Sequence, residues 1–95
     1  MQNVDEYYNS LTICASHYRE MVDTMMPWPH QSHDIRAVSS FIDEFAHAIA
    51  GKLPLCKLNR WLGYIQGVLI IHGFCTVESE RNFTRPLFRH LDFDD

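Results

Sequence analysis

The sequence lacks a long apolar run, a cysteine framework and a secretion signal. Its longest apolar run, residues 68–71, is far too short to span a membrane. The three cysteines lie far apart and form no CxxC pair, which is typical of reduced thiols in a cytoplasm. Residues 1–6 are polar and acidic, unlike a signal peptide. These absences predict a soluble, cytoplasmic protein that does not contact a membrane.

Motifs for catalysis and metal binding are also missing. The six histidines are scattered, without an HExxH motif or a Cys/His cluster of zinc spacing. Adjacent Asp43 and Glu44 diverge by about 100° on a helix, so they form no carboxylate dyad. Cys14 and Cys75 stand at apolar positions, which favours inert packing over nucleophilic reactivity. We therefore expect no enzyme activity, no metal and no cofactor.

The charges are few and unevenly distributed. The net charge of −4 makes nucleic acid an improbable partner, because neutralising phosphates requires clustered bases. Residues 1–50 carry seven acids and two bases, whereas residues 51–95 carry five acids and six bases. An anion site, if the protein has one, therefore belongs in the second half of the chain.

What the chain does contain is apolar residues at helical spacing. The apolar fraction of 46% and the length of 95 residues predict one helical domain, 1–95. So short a chain buries a limited core, which favours a homo-oligomer. We predict an all-α fold, a small bundle of three main helices with a short fourth helix and an extended C-terminal tail. The main helices are predicted at residues 4–25, 33–50 and 57–72, and the tail from Phe83 onward.

The third helix carries the first candidate binding site. Its residues are apolar on nearly every side, which predicts a position at the centre of the bundle. The exceptions are Asn59, Arg60, Gly63, Gln66 and Gly67. Each helical glycine costs about 1 kcal/mol relative to alanine, so a close approach of a ligand or of another helix is expected here. Two interpretations remain open, a shallow polar groove or a helix crossing in which Gln66 makes a buried hydrogen bond.

The second candidate is a set of arginines at spacing four, Arg81, Arg85 and Arg89. Guanidinium groups bind phosphates or carboxylates through paired hydrogen bonds. The three would align if one helix continued through them, which Pro86 argues against. The alternative is that they pair with the acidic first half. Trp28, held between two prolines, is either a hydrophobic plug or a stacking platform.

Residues 57–69, Lys-Leu-Asn-Arg-Trp-Leu-Gly-Tyr-Ile-Gln-Gly-Val-Leu, resemble a segment of small proteins from tailed bacteriophages and prophages. In that group the segment is followed by a glycine, a Thr-capped acidic turn and an Arg-Pro pair. Gly73, residues 76–81 and residues 85–86 fit this layout, so the resemblance covers about residues 57–88. It implies a phage setting, in the cytoplasm of a bacterial host, and supplies no catalytic residues.

Small acidic phage proteins of this kind often disarm host defences, and one class consists of helical oligomers that sequester nucleotide signals. The resemblance therefore implies a non-enzymatic binding protein that counteracts host defence by sequestering a nucleotide-derived signal at a subunit boundary. The alternative is an inhibitor or adaptor that covers a host protein with the acidic first two helices. The candidate ligand-binding residues are Trp28, Asn59, Arg60, Tyr64, Gln66, Arg81 and Arg85.

Overall fold

Helices are the regular elements of the described chain. The computed structural model describes residues 3–25 and 33–91, and this part contains no strand. The elements are α1 (Asn3–Met25), α2 (His33–Ala50), α3 (Leu55–Ile71), α4 (Val77–Phe88) and the 3-10 turn η1 (Arg89–Leu91). The predicted all-α class is confirmed. None of the described helices is long and apolar enough to cross a membrane.

The central element is α1, and the prediction that the third helix would be central is wrong. Helix α1 packs against α2 on one side and against α4 and η1 on the other, whereas α3 packs mainly on α2. The buried apolar residues of α1 are Tyr7, Tyr8, Leu11, Cys14, Ala15, Tyr18 and Val22. Those of α3 are Leu58, Leu62, Ile65 and Leu69. Helix α3 therefore buries one stripe, although its sequence is apolar on other sides as well.

The extended tail predicted from Phe83 is also wrong up to residue 91, because α4 continues through Pro86 to Phe88. A proline inside a helix removes one backbone hydrogen bond and costs about 3 kcal/mol. Packing beyond the proline offsets this cost. The Phe88 ring lies 4.9 Å from the Tyr7 ring, centre to centre, and Leu91 is buried. Residues 92–95 lie outside the described part.

Local interactions mark the start of α4 and the residues that follow α2 and α3. Thr76 Oγ1 accepts a hydrogen bond from the Ser79 amide, and Ser79 Oγ accepts one from the Thr76 amide, both at 3.0 Å. This capping box starts α4 where the sequence predicted. Helix α3 is followed, as predicted, by Gly73 at φ +81°. After α2, Lys52 adopts the left-handed conformation, at φ 59°.

Candidate functional site

A buried polar cluster of Tyr18, Gln66 and Glu80 joins α1, α3 and α4. The Tyr18 hydroxyl donates to Glu80 Oε1, and Gln66 Nε2 donates to the Tyr18 oxygen at 2.9 Å. Glu80 is only 5% exposed, although it is a carboxylic acid. Among the described residues Glu80 forms no ion pair, so hydrogen bonds rather than a cation stabilise its buried carboxylate. The cluster therefore fixes three helices relative to one another.

The acidic side chains around this carboxylate resist ionisation. Burial, reinforced by the nearby Glu80 charge, raises the pKa of the Cys14 thiol to about 12. Burial also raises the pKa of Cys75 to about 12, with additional contributions from the charge of Glu80 and a hydrogen bond to it. The Tyr18 pKa is raised mainly by burial and secondly by its hydrogen bond to Glu80. Thiols of this kind are poor nucleophiles at neutral pH, which agrees with the predicted packing role of Cys14 and Cys75.

We expect the raised Cys14 pKa to destabilise the fold at alkaline pH. Below pH 9.0, the ordinary pKa of a thiol, Cys14 is neutral in both the folded and the unfolded chain. Its ionisation therefore does not affect the free energy of unfolding in that range. Between pH 9 and about 12 only the unfolded chain ionises, so the free energy of unfolding falls as pH rises. Urea unfolding at several pH values measures this fall. In the Cys14→Ala variant the free energy of unfolding should decrease less between pH 9 and about 12 than in the wild type. Cys56→Ala, at an exposed position, is the matched control; equal slopes in both variants would contradict the assignment.

The residues of the predicted polar groove lie on two different sides of α3. Asn59 Oδ1 accepts a hydrogen bond from the Tyr7 hydroxyl at 2.8 Å, and Gln66 donates to Tyr18. Both amides therefore face α1 and are engaged within the chain. The hydrogen bond expected of Gln66 in the helix-crossing interpretation is therefore made, and it is part-buried.

The two glycines and Arg60 lie on another side of α3, here named the α3 outer face. It consists of Arg60, Gly63, Tyr64, Gly67 and Ile71. Tyr64 is 52% exposed and Ile71 82% exposed, and a Cβ atom at either glycine would meet nothing within 4 Å in the described chain. Tyr64 also contacts Phe41 of α2, ring edge to ring face, with centres 5.1 Å apart. The close helix crossing that the glycines suggested is thus not made by the residues that the structure describes.

The arginines of α4 form an exposed row, named here the arginine row: Arg81, Arg85 and Arg89. Because α4 continues through Pro86, spacing of four places Arg81 and Arg85 about one turn apart, with Arg89 following at the start of η1. All three are exposed, and none is ion-paired within the described residues. The predicted alternative, pairing with the acidic helices, is therefore not observed there. No described carboxylate competes for these guanidinium groups, so among the described residues nothing blocks their contact with an external anion.

The cation that does pair with the acidic helices is Arg19 of α1. Its guanidinium lies 2.9 Å from Asp23 and 3.0 Å from Asp43, and it also donates to Ser39. It lines a groove of about 160 Å³ between α1 and α2. Because two carboxylates already offset the charge of Arg19, this groove is a poor anion site.

A second groove, of about 310 Å³, is lined by His17, Glu20, Met21, Thr24 and Phe74. Neither groove includes a residue from the sequence-based candidate list. Among the residues that the structure describes, no group of three His, Cys, Asp or Glu side chains is close enough to hold a metal ion.

The sequence-based site is therefore only partly assembled in one chain. Arg81 and Arg85 lie together on α4, Arg60 and Tyr64 lie on the α3 outer face, and α3 and α4 do not pack along each other. Trp28 lies outside the described residues. Sequence reasoning missed the hydrogen bond between Tyr18 and Glu80, because 62 residues separate them.

Comparisons with protein families, curated proteins and solved structures gave no match for this chain.

Proposed function

We propose that this chain is a non-enzymatic binding protein that holds a phosphate-bearing, nucleotide-like ligand on the arginine row. In the phage setting implied by the resemblance, this binding sequesters a nucleotide-derived signal of host defence in the bacterial cytoplasm. The observation that carries the proposal is the unpaired state of Arg81, Arg85 and Arg89 within the described chain. The protein is acidic overall, yet these three bases lie together and exposed.

Phosphate chemistry suits such a row. A guanidinium group carries a permanent charge and donates paired hydrogen bonds that match phosphate oxygens. Residues four apart on a helix are separated by about 6 Å along its axis, so neighbouring arginines reach different phosphate groups of one ligand. A nucleotide with more than one phosphate therefore uses the row better than a single inorganic phosphate does.

Self-association through the α3 outer face is the second part of the proposal. Exposed Tyr64 and Ile71 supply apolar contact, and the open space at Gly63 and Gly67 admits a second backbone. A homo-oligomer of this kind places Arg60 and Tyr64 at a subunit boundary. The limited core of a 95-residue chain gives the same expectation.

Isothermal titration calorimetry against cyclic di- and trinucleotides, ADP-ribose derivatives and inorganic phosphate tests the ligand. We expect one nucleotide class to bind, with an affinity that falls as salt rises, because arginine–phosphate contacts are screened. No heat from any nucleotide would overturn the ligand proposal. Capture of one stoichiometric protein from a bacterial lysate would favour the alternative, an inhibitor that covers a host protein.

We expect Gly63→Ala/Gly67→Ala to separate folding from self-association. A Cβ atom meets nothing within 4 Å at either position, so each substitution should stabilise the isolated helix by about 1 kcal/mol. In an oligomer the added methyl groups keep the second backbone away, and the dissociation constant should rise at least tenfold. Sedimentation velocity over a dilution series measures the dissociation constant, and Ile13→Ala, at an exposed position on α1, is the control. Unchanged association would exclude the glycines from the interface.

A further inference from the structure

Helix α4 packs against the rest of the protein with less apolar burial than α2. The one residue that it buries is the acidic Glu80, while Phe83, Leu87 and Phe88 are half-buried. Helix α2, by contrast, buries five apolar residues among the side chains described from residue 36 onward: Val38, Ile42, Phe45, Ala48 and Ile49. Apolar burial contributes roughly 25 cal/mol per Å², so α4 gains much less from it than α2 does.

The contacts of α4 lie near its two ends and at Phe83 between them. At the first end Glu80 accepts the hydrogen bond from Tyr18. At the second end Ser10 Oγ donates to the Leu87 carbonyl at 2.8 Å, and η1 inserts Leu91 into the core. Between them Phe83 stacks on the His17 ring, with centres 3.9 Å apart. These contacts are all made with α1 or with the core beside it.

The connection to α3 permits movement of α4 as a unit. Residues 72–76 carry no regular helix, and Gly73 holds the positive φ of +81° that redirects the chain. The capping box of Thr76 and Ser79 closes α4 without help from α3. Helix α4 can therefore detach from α1 without losing a cap shared with α3. Once detached, a 12-residue helix with an internal proline is only marginally stable in water, so its backbone amides then exchange.

A buried carboxylate makes such a separation less costly. Burying a charge carries a desolvation penalty, which its hydrogen bonds offset only in part, so this kind of contact fixes position more than it adds stability. On separation Glu80 regains water, and that gain offsets part of the lost packing. Separation would also uncover Tyr18 and His17 and carry the arginine row away from α1.

From these contacts we infer that α4 and η1 form an arm that opens from α1 while α1, α2 and α3 stay folded. The Tyr18–Glu80 hydrogen bond is the latch that holds it closed. Segments whose contacts are few and peripheral open at lower free energy than the global fold. The inference does not depend on the identity of any ligand.

Native-state hydrogen exchange of the full chain, followed by NMR, tests the arm. After correction for intrinsic rates, α4 amides should exchange at least tenfold faster than α2 amides and with a weaker dependence on denaturant. Ile42→Val weakens only the folded core, so it should speed α2 amides by about 2- to 12-fold and leave α4 amides unchanged. Tyr18→Phe, which weakens the latched state, should speed α4 amides at least tenfold.

Two results would overturn the inference. If α4 and α2 amides exchange with the same free energy and both respond to Ile42→Val, then α4 opens only when the whole chain unfolds. If α4 opens alone but Tyr18→Phe leaves its exchange unchanged, then the Tyr18–Glu80 bond is not the latch. The wild-type and Ile42→Val measurements decide the first point even if Tyr18→Phe fails to fold.

Discussion

Replacing Tyr18 by phenylalanine should lower the free energy of unfolding by about 2–4 kcal/mol, although it removes a single oxygen atom. The substitution leaves the Glu80 carboxylate, 5% exposed, without the hydroxyl that donates to it. It also deprives Gln66 of its acceptor. A buried charge that loses a donor costs more than an ordinary hydrogen bond contributes, because its desolvation is then less well offset. Urea unfolding followed by circular dichroism measures the change.

The matched control for Tyr18→Phe is Tyr8→Phe. The Tyr8 hydroxyl donates to the neutral Leu53 carbonyl at 2.7 Å, so its removal should cost only about 1 kcal/mol. A double variant, Tyr18→Phe/Glu80→Met, removes both the donor and the charge and should be more stable than Tyr18→Phe alone. If the two substitutions are instead additive, Tyr18 and Glu80 are not energetically coupled.

Removing the arginine row should abolish ligand binding without unfolding the protein. Arg81→Gln/Arg85→Gln/Arg89→Gln should weaken the affinity for the bound nucleotide at least 100-fold, since a hydrogen bond to a charged group contributes about 1.5–3 kcal/mol. All three side chains are exposed, so stability should change by less than about 0.5 kcal/mol per residue. Calorimetry of the triple variant measures the loss of binding.

Removing one positive charge at a time distinguishes binding at the arginine row from a general effect of the protein's net charge. Arg85→Gln, in the middle of the row, should weaken binding about tenfold or more. Arg36→Gln removes the same charge from an exposed position on α2 and should change binding little. If both variants lose affinity equally, the ligand responds to net charge and does not occupy the row.

The sequence was sufficient to predict the main helices, because their apolar residues recur every three or four positions. The predicted α2, residues 33–50, coincides with His33–Ala50, and the Thr76 cap of α4 is confirmed. Periodicity did not reveal which helix would be central. An apolar helix such as α3 has several sides that could be buried, and only the packing on α2 decides which one is.

Two other features depend on contacts between distant parts of the chain. Pro86 predicted a helix end by a local rule, but packing of Phe88 and Leu91 beyond it keeps α4 helical. Neither Glu80 nor Tyr18 was among the candidate residues predicted from the sequence. Their hydrogen bond could not be predicted, because no local pattern links residues 62 positions apart. The sequence shows that the three arginines are four residues apart. That they line up along one helix follows only from the structure, in which α4 continues through Pro86.

The most direct test of the proposed function is an NMR titration of the full chain with the nucleotide that binds in calorimetry. The side-chain Nε–H signals of the arginines report contact with phosphate groups. Our account predicts that the signals of Arg81, Arg85 and Arg89 shift together and saturate at a fixed stoichiometry, while that of Arg36 stays in place. Shifts confined to residues outside the row, or none at saturating nucleotide, would contradict it.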